Sequence, residues 1–412
     1  MNEQRNILLY DTTESHENLL PLSYTRPVAC FRVGITTIKE KWLSLLSGNY
    51  SYKVIDYLKE KYPMADLKGE DAIFISGCVI PDASLAEAVA ALMPGDALSD
   101  GKRLIAFCGK AEDYEKFVTA SLEELEHCSV IEPELGSLEY VYDIFLKNAQ
   151  AIKADYARLV KGRESQPLSD SVTVIGPEKT ECGLPTVFIE EGATVEGAIL
   201  NVKNGPIYIG KNAEIMEGCV LRGPIALCTR SKFKMGAKIY GGTTVGPFCK
   251  VGGEVDNTII FGYSNKAHDG YLGNAVIGEW CNIGAGTNAS NLKNDYAKIR
   301  LWNYRQQRFM RTDLQFCGLI MGDHSKAGIN CMFNTATVVG VGVNLHGAGF
   351  PRVFIPSFSE GSPEGGFSNV SIDKFMTTAQ RVMSRRDMDL NDTDRHICEY
   401  IYDFASKFKG KA

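Results

Sequence analysis

The chain has 412 residues, 44% of them apolar and 23% charged, which is length enough for two or three domains. A formal charge of -6 points away from nucleic acid and anionic membranes as partners, and no apolar run approaches the roughly 20 residues that span a bilayer. The opening MNEQRNILLYD has no secretory apolar core, and twelve cysteines without one CxxC pair suit reduced thiols in a cytoplasmic protein better than a zinc site.

Asn6 to Tyr10 is a short apolar run closed by Asp11, the pattern of a buried strand. A polar stretch, DTTESHEN, follows and reads as a loop in which His16 is solvated. Ile38, Trp42, Leu45 and Leu46 then recur at helical spacing between Thr37 and Leu46. Further strands are expected at Ala72 to Ile75 and Leu104 to Phe107, with helices near Ala83 to Met93 and Tyr114 to His127. Alternating strands and helices imply an α/β domain with a largely parallel sheet over residues 1–162. Ser137 to Val160 reads as a long helix leading out of it, and KGRESQPLSD opens a linker over 163–186.

The next domain keeps a different clock. Ile209, Ile215, Leu221, Leu227, Phe233, Ile239, Val245 and Val251 put an apolar residue at every sixth position. Chance gives such a run on the order of once per thousand starting points at this composition. Four residues after most anchors stands a small side chain: Ala213, Cys219, Ser231, Ala237, Thr243, Cys249. Period six fits neither a helix nor a lone strand, but it fits a hexapeptide solenoid, where the large residue fills a prism and the small one turns its corner. Shifted copies run through Ile189 and Val195, Ile277 and Ile283, and Met321, Ala327, Phe333, Val339 and Leu345. The phase changes imply interrupting loops, the largest between Asn291 and Gly318, in a solenoid spanning 187–350. That loop, 292–318, carries six cations against two aspartates plus Trp302 and Tyr304. Either it reaches toward an anionic ligand or its aromatics pack on the prism. Residues 351–412 form a tail with two amphipathic helices, one behind the N-cap Ser371 and one behind Asn391 and Asp392, suited to covering a solenoid end.

Two stretches resemble known enzymes. Leu20-Pro21-Leu22-Ser23-Tyr24-Thr25-Arg26-Pro27-Val28 resembles the L-x-P-L-T-x-x-R-x-K-P segment of sugar-1-phosphate nucleotidyltransferases. The resemblance implies nucleotide binding near Asp11 and Arg26, and it allows for Mg2+ without identifying a metal ligand. DTTESHEN lacks the family's glycine loop, which lets backbone N–H groups approach phosphate, and Cys78 stands where the family has a metal-binding aspartate. From Ser264 the sequence SNKAHDGYLGNAVIGEWCNIGAGTNASN is similar to the acetyltransferase half of the bifunctional N-acetylglucosamine-1-phosphate uridylyltransferase/glucosamine-1-phosphate acetyltransferase (GlmU) family. That family's S-K-x-x-H-L-x-Y-L-G-D-A-x-I-G-x-x-x-N-I-G-A-G-T-x-x-x-N matches without a gap from His268 to Asn291. It implies a left-handed parallel β-helix that trimerises, a handedness that periodicity alone does not supply.

Carried over position by position, the resemblance makes His268 the general base, a task suited to the unperturbed imidazole pKa. It assigns Asn291 and the backbone of Ala285 to acetyl-CoA, and Tyr271 and Asn282 to the sugar phosphate. Lys234 falls where the family has a phosphate-binding arginine; it keeps the charge and loses the bidentate fork. Asp256 falls where a second cation is expected, after what reads as an expansion at Gly252 to Val255, leaving Lys250 or Lys266 to substitute. The expected partners are a sugar phosphate, acetyl-CoA and a nucleoside triphosphate. The leading expectation is a bifunctional enzyme that N-acetylates an amino-sugar 1-phosphate and transfers a nucleotide to a sugar 1-phosphate. The alternatives are a nucleotidyltransferase whose β-helix only oligomerises or regulates, and a scaffold with both sites decayed.

Overall fold

The computed structural model describes residues 5–409, which form two compact units. The first comprises residues to Leu19, Thr25–Phe31 and Thr36–Tyr140; the second takes Leu20–Tyr24, Arg32–Ile35 and everything from Val141. The sequence reading kept the helix that leads to Val160 with the first domain. The structure places that helix in the second unit, because its Ile152, Tyr156 and Val160 cluster with Ile35, Phe188 and Ala226.

The first unit is a six-stranded sheet with strands β1 (Asn6–Tyr10), β2 (Asn49–Lys53), β3 (Ala72–Ser76), β4 (Ala97–Ser99), β5 (Leu104–Gly109) and β6 (Cys128–Val130), in the order β2-β1-β3-β5-β4-β6. β1 runs parallel to β2 and β3. β5 runs antiparallel to both its neighbours, so the sheet is mixed rather than largely parallel. The reversal lies at Asp100, whose carboxylate accepts from the N–H groups of Lys102 and Arg103 at 2.9 and 2.7 Å and closes a tight turn after the three-residue β4. Phe74, Phe107 and Phe117 stack through the core, with centroids 4.6 and 4.3 Å apart.

Three local expectations also change. The polar stretch after β1 is a helix, α1 (Thr13–Asn18), started by a capping box between Thr12 and Ser15. α2 (Ile38–Leu45) and α3 (Ala83–Ala90) lie where expected, α2 behind a Thr37–Glu40 capping box. α4 (Tyr114–Thr119) stops well short of His127, because Ser121 starts a separate 3-10 turn by donating its N–H to Glu124 at 2.8 Å. α5 (Asp143–Val160) begins six residues later than Ser137, which instead bridges Val79.

The second unit is a parallel β-helix with three sheets of eight, nine and ten strands, the fold expected from the hexapeptide clock. On one face Ile215 pairs with Phe233 and Phe233 with Val251, partners eighteen positions apart, or six residues for each of three faces. The anchors of all three faces merge into one buried column. The small residues Ala213, Cys219, Ala237 and Cys249 are buried directly after left-handed corner residues such as Asn212 and Phe248 (φ 55° and 61°) or glycines such as Gly218 and Gly236 (φ 74° and 72°).

One corner breaks the usual glycine-or-asparagine preference. Phe248, Tyr263 and Trp280 all adopt positive φ there, and their rings stack at 5.2 and 4.3 Å. Left-handed backbone costs a bulky residue about 1–2 kcal/mol, and the stacked rings offset that.

Only part of the phase shift comes from added chain, as in the excursion after Asn291, across which Ile277 pairs with Met321. Val251 pairs with Lys266, fifteen positions on, and Ile239 with Val255, sixteen on, so these coils are shortened rather than interrupted. The stretch read as an expansion supplies a corner at Gly253 and a regular strand over Glu254–Asp256. The coils also begin earlier and end later than 187–350. Thr173–Ile175, assigned to the linker, pairs with Ile199–Asn201, and Asn344–Leu345 pairs on to Glu360–Gly361.

The excursion after Asn291 folds as a hairpin, Arg300–Asn303 with Arg308–Arg311, and its aromatics pack inward. Trp302 is buried with its ring 4.2 Å from that of Phe354, and Tyr304 lies between Tyr24 and Phe408 at 5.8 and 5.0 Å. The tail supplies α6 (Ile372–Met383), capped by Ser371, and α7 (Asp392–Ala405), capped by Asn391. Phe375 of α6 packs edge-on against His324 and Phe358, while Phe404 and Phe408 reach the Tyr24–Tyr304 cluster. Among the described residues no helix is long and apolar enough to cross a membrane.

Candidate functional site

Two regions gather chemistry, one in each unit. In the β-helix the matched block winds over all three faces, and its candidate site residues fall on two adjoining faces and the corner between them. Tyr271 lies on a strand, Tyr271–Gly273, whose inward residue is the buried Leu272. Its hydroxyl accepts from the Asn291 amide at 2.9 Å, and the same amide donates to Asn274 Oδ1 at 2.7 Å. Gly273 makes this possible, because a Cβ there would lie 2.3 Å from the tyrosine oxygen and 2.8 Å from Asn291 Nδ2. Burial first, and the Asp256 carboxylate next, push the Tyr271 hydroxyl up to about 12, so it stays protonated at neutral pH. Gly273 and Asn274 were not singled out in the sequence, since neither carries reactive chemistry by itself.

His268 sits exposed at the preceding corner, in the turn between Asn265–Lys266 and Tyr271–Gly273. One backbone and one side-chain bond hold that turn against the next coil: Gly286 N–H donates to the Asp269 carbonyl at 2.9 Å, and Tyr271 N–H donates to Asn288 Oδ1 at 2.8 Å. Ala285 lies at the same corner one coil on, its carbonyl accepting from Asn330 N–H at 2.8 Å. Asn282 is exposed on the other face, paired with Asn265. The chain thus joins Tyr271 to Asn291, puts His268 and Ala285 at one corner, and keeps Asn282 on the adjoining face.

The cations sort clearly. Outward residues on Asn282's face run Glu214, Lys232, Lys250, Asn265, Asn282, each paired to the next. Lys250 is held below the usual lysine range by burial and then by Arg386, Lys232, Lys234 and Arg385. Lys234 has its ammonium 3.5 Å from Met216 Sδ. Lys266 points inward and contributes nothing to this patch. Asp256, half-buried, has its carboxyl raised by burial and by Glu254.

In the first unit a cleft of about 550 Å³ opens at the ends of β1 and β3, lined by Tyr10, Ser15, Ser76, Cys78, Lys102 and Arg103 among others. Neither Asp11 nor Arg26 lines it; they are 5% and 6% exposed. One Asp11 oxygen accepts from Val28 N–H at 2.9 Å, and the other has no hydrogen-bond partner among the described residues. Burial pushes that carboxyl up to about 7 despite the Val28 bond. His16, expected to be solvated, is buried beside Tyr57 at 3.2 Å, and burial pushes it down to about 3. Cys78 is buried with its thiol pushed up to about 12, and no group of three or more His, Cys, Asp or Glu among the described residues could hold a metal.

Fold and sites together define a two-part chain, an α/β unit followed by a hexapeptide β-helix. Residues 7–164 match the family model described as sugar nucleotidyl transferase. The bifunctional protein GlmU of Synechococcus elongatus is 24% identical over 251 residues, covering 57% of this chain and 50% of its own. The GlmU of Carboxydothermus hydrogenoformans is 29% identical over 167 residues, 34% of this chain and 35% of that one. The GlmU of Methanocaldococcus jannaschii is 34% identical over 87 residues, 21% of each. The chain is thus similar over part of its length to GlmU proteins, and it spans about half the length of the Synechococcus protein it matches. A solved UDP-N-acetylglucosamine acyltransferase from Arabidopsis aligns over 54% of this chain and 80% of its own at 11% identity, with a TM-score of 0.17, too low to bear on the fold.

Proposed function

We propose that the β-helix transfers an acetyl group from acetyl-CoA to the amine of an amino-sugar 1-phosphate, and that the first unit transfers a nucleotide to a sugar 1-phosphate. The hydrogen-bonded Tyr271–Asn291–Asn274 set beside the exposed His268 carries the first half of this reading. An amine attacks a thioester only when unprotonated. His268 takes its proton as the new N–C bond forms, and CoA leaves as the thiolate when the tetrahedral intermediate collapses. Asn291 meets the transient oxyanion by redirecting one of the two amide N–H groups that it donates here to Tyr271 and Asn274. Lys234 and Lys250, with Arg385 and Arg386 close enough to act on Lys250, form the cationic patch that suits the sugar phosphate, and Asn282 lies on the same face.

The site is completed in this reading by a neighbouring copy in a homotrimer, and twelve cysteines without a CxxC pair suit the cytoplasm. The first unit binds its nucleoside triphosphate in the 550 Å³ cleft, where Lys102 and Arg103 face the phosphates. Asp11 and Arg26 then act by shaping that unit, not by touching the nucleotide.

The test is thiol release from acetyl-CoA with a panel of hexosamine 1-phosphates. His268→Ala is expected to lower turnover by roughly 10²- to 10⁴-fold with the fold intact, since the side chain is exposed. Near wild-type turnover in that variant at saturating substrate removes His268 as the base and leaves the β-helix as a scaffold.

A further inference from the structure

We propose that Lys266 is a positioning residue that holds the His268 turn from inside the prism. The inference rests on the acetyl-transfer reading above. Inward positions on this face run Ile215, Phe233, Val251, Lys266, Ile283, Ala327 and Leu345, all buried. Every other member of the column is apolar. Register leaves no doubt about the side: Asn265 pairs with the outward Lys250, and Lys266 pairs with the inward Val251. Lys266 is 2% exposed.

A lysine in a hydrophobic column is costly, because its ammonium leaves water, and a methionine of similar volume fills the same space without that penalty. The use made of the charge is specific. Lys266 Nζ donates to the carbonyl of His268 at 2.6 Å. No backbone N–H among the described residues donates to that carbonyl, whereas the carbonyls of Asp269 and Gly270 accept from Gly286 and Glu254 N–H. Gly270 keeps the turn close to the next coil, since a Cβ there would lie 2.0 Å from the Thr287 carbonyl. The coils therefore hold the far side of the turn, and Lys266 holds the residue that bears the imidazole. Burial pushes its ammonium down to about 8, and Asp269 opposes the shift, in line with a charge retained at some expense.

The role separates from simple stabilisation by the sign of its effects. Lys266→Met removes a buried charge and fills the column, so thermal stability is expected to hold or rise. Acetyl-transfer kcat is expected to fall by on the order of 10²-fold, as for a small misplacement of a reacting group, with KM for acetyl-CoA within about twofold. Lys266→Gln retains a donor and is expected to recover part of the loss. In a His268→Ala background, Lys266→Met is expected to cost nothing further, because the two act through one group. A kcat equal to wild type in Lys266→Met, or parallel losses of stability and kcat without rescue by Gln, overturns the proposal.

A second arm needs no turnover. In protein labelled with ¹³C at histidine Cε1, the His268 resonance, assigned by its loss in His268→Ala, is expected to shift in Lys266→Met while the other histidine signals stay in place. An unmoved His268 signal overturns the positioning role whatever the activity. Absence of acetyl transfer in the wild type overturns the catalytic reading, and the resonance then decides whether Lys266 holds the turn.

Discussion

Asp11→Asn offers a measurement whose sign follows from the structure alone. The Asp11 carboxyl titrates near 7 when folded, against an ordinary 3.8, because burial disfavours its charge. Between those values the folded chain holds a proton that the unfolded chain has released. The raised group therefore contributes its full stabilisation below about pH 4 and loses it progressively up to about pH 7. Three pK units correspond to about 4 kcal/mol, an upper figure for what ionised Asp11 costs the first unit at pH 8. Asparagine keeps an oxygen for the Val28 N–H, accepted now at 2.9 Å, and never ionises. The variant is thus expected to match wild type near pH 4 and to exceed it increasingly to pH 8. Trp42 is buried in the first unit, whereas Trp280 and Trp302 lie in the second. In 5-fluorotryptophan-labelled protein, its ¹⁹F signal during urea titration reports the first unit by itself. Equal pH slopes in the two proteins, or a less stable variant at pH 8, would refute the assignment of a buried, protonatable Asp11.

Two further substitutions test the second unit. Trp302→Ala removes a buried ring stacked on Phe354 and is expected to cost about 3–5 kcal/mol. It should also free the hairpin, so trypsin cuts sooner at the exposed Arg305 and Arg308; unchanged stability and cleavage would show that the ring does not anchor the excursion. Gly273→Ala places a methyl 2.3 Å from the Tyr271 oxygen and should break its bond to Asn291. In the acetyl-transfer assay, kcat/KM for the acyl acceptor is expected to drop about tenfold or more, the worth of one such bond at the site, and an unaltered value would remove Tyr271 and Asn291 from substrate binding.

The β-helix was legible because its signal repeats. One six-residue error in a column of anchors would have shown as a break, and the run from Ile209 to Val251 has none. Where coils lose residues, at Val251 to Lys266, the same signal looked like a loop, since periodicity records a phase change without saying whether chain was added or removed. The first unit was harder to read. Its β4 has three residues and its reversal depends on one aspartate side chain, Asp100, which no apolar pattern announces. The α1 stretch was misread because TESHEN is polar on every side, and its helix depends on the Thr12–Ser15 capping box.

The site divides along the same line. His268, Tyr271 and Asn291 were candidates through the family resemblance, position by position. What could not be picked out is direction. Lys250 and Lys266 were equivalent candidates for a phosphate partner in the sequence, both lysines within reach of the same block. Strand alternation separates them completely: one column faces solvent among other cations, and the other faces the prism interior. Neighbouring residues of a strand face opposite ways, so Asn265 takes the outward place beside Lys250 and Lys266 the inward one beside Val251. Coils of fifteen and of sixteen residues both keep their anchors inward, so it is the strand pairing and not the coil length that decides which lysine enters the prism. In that place Lys266 donates to the carbonyl of His268.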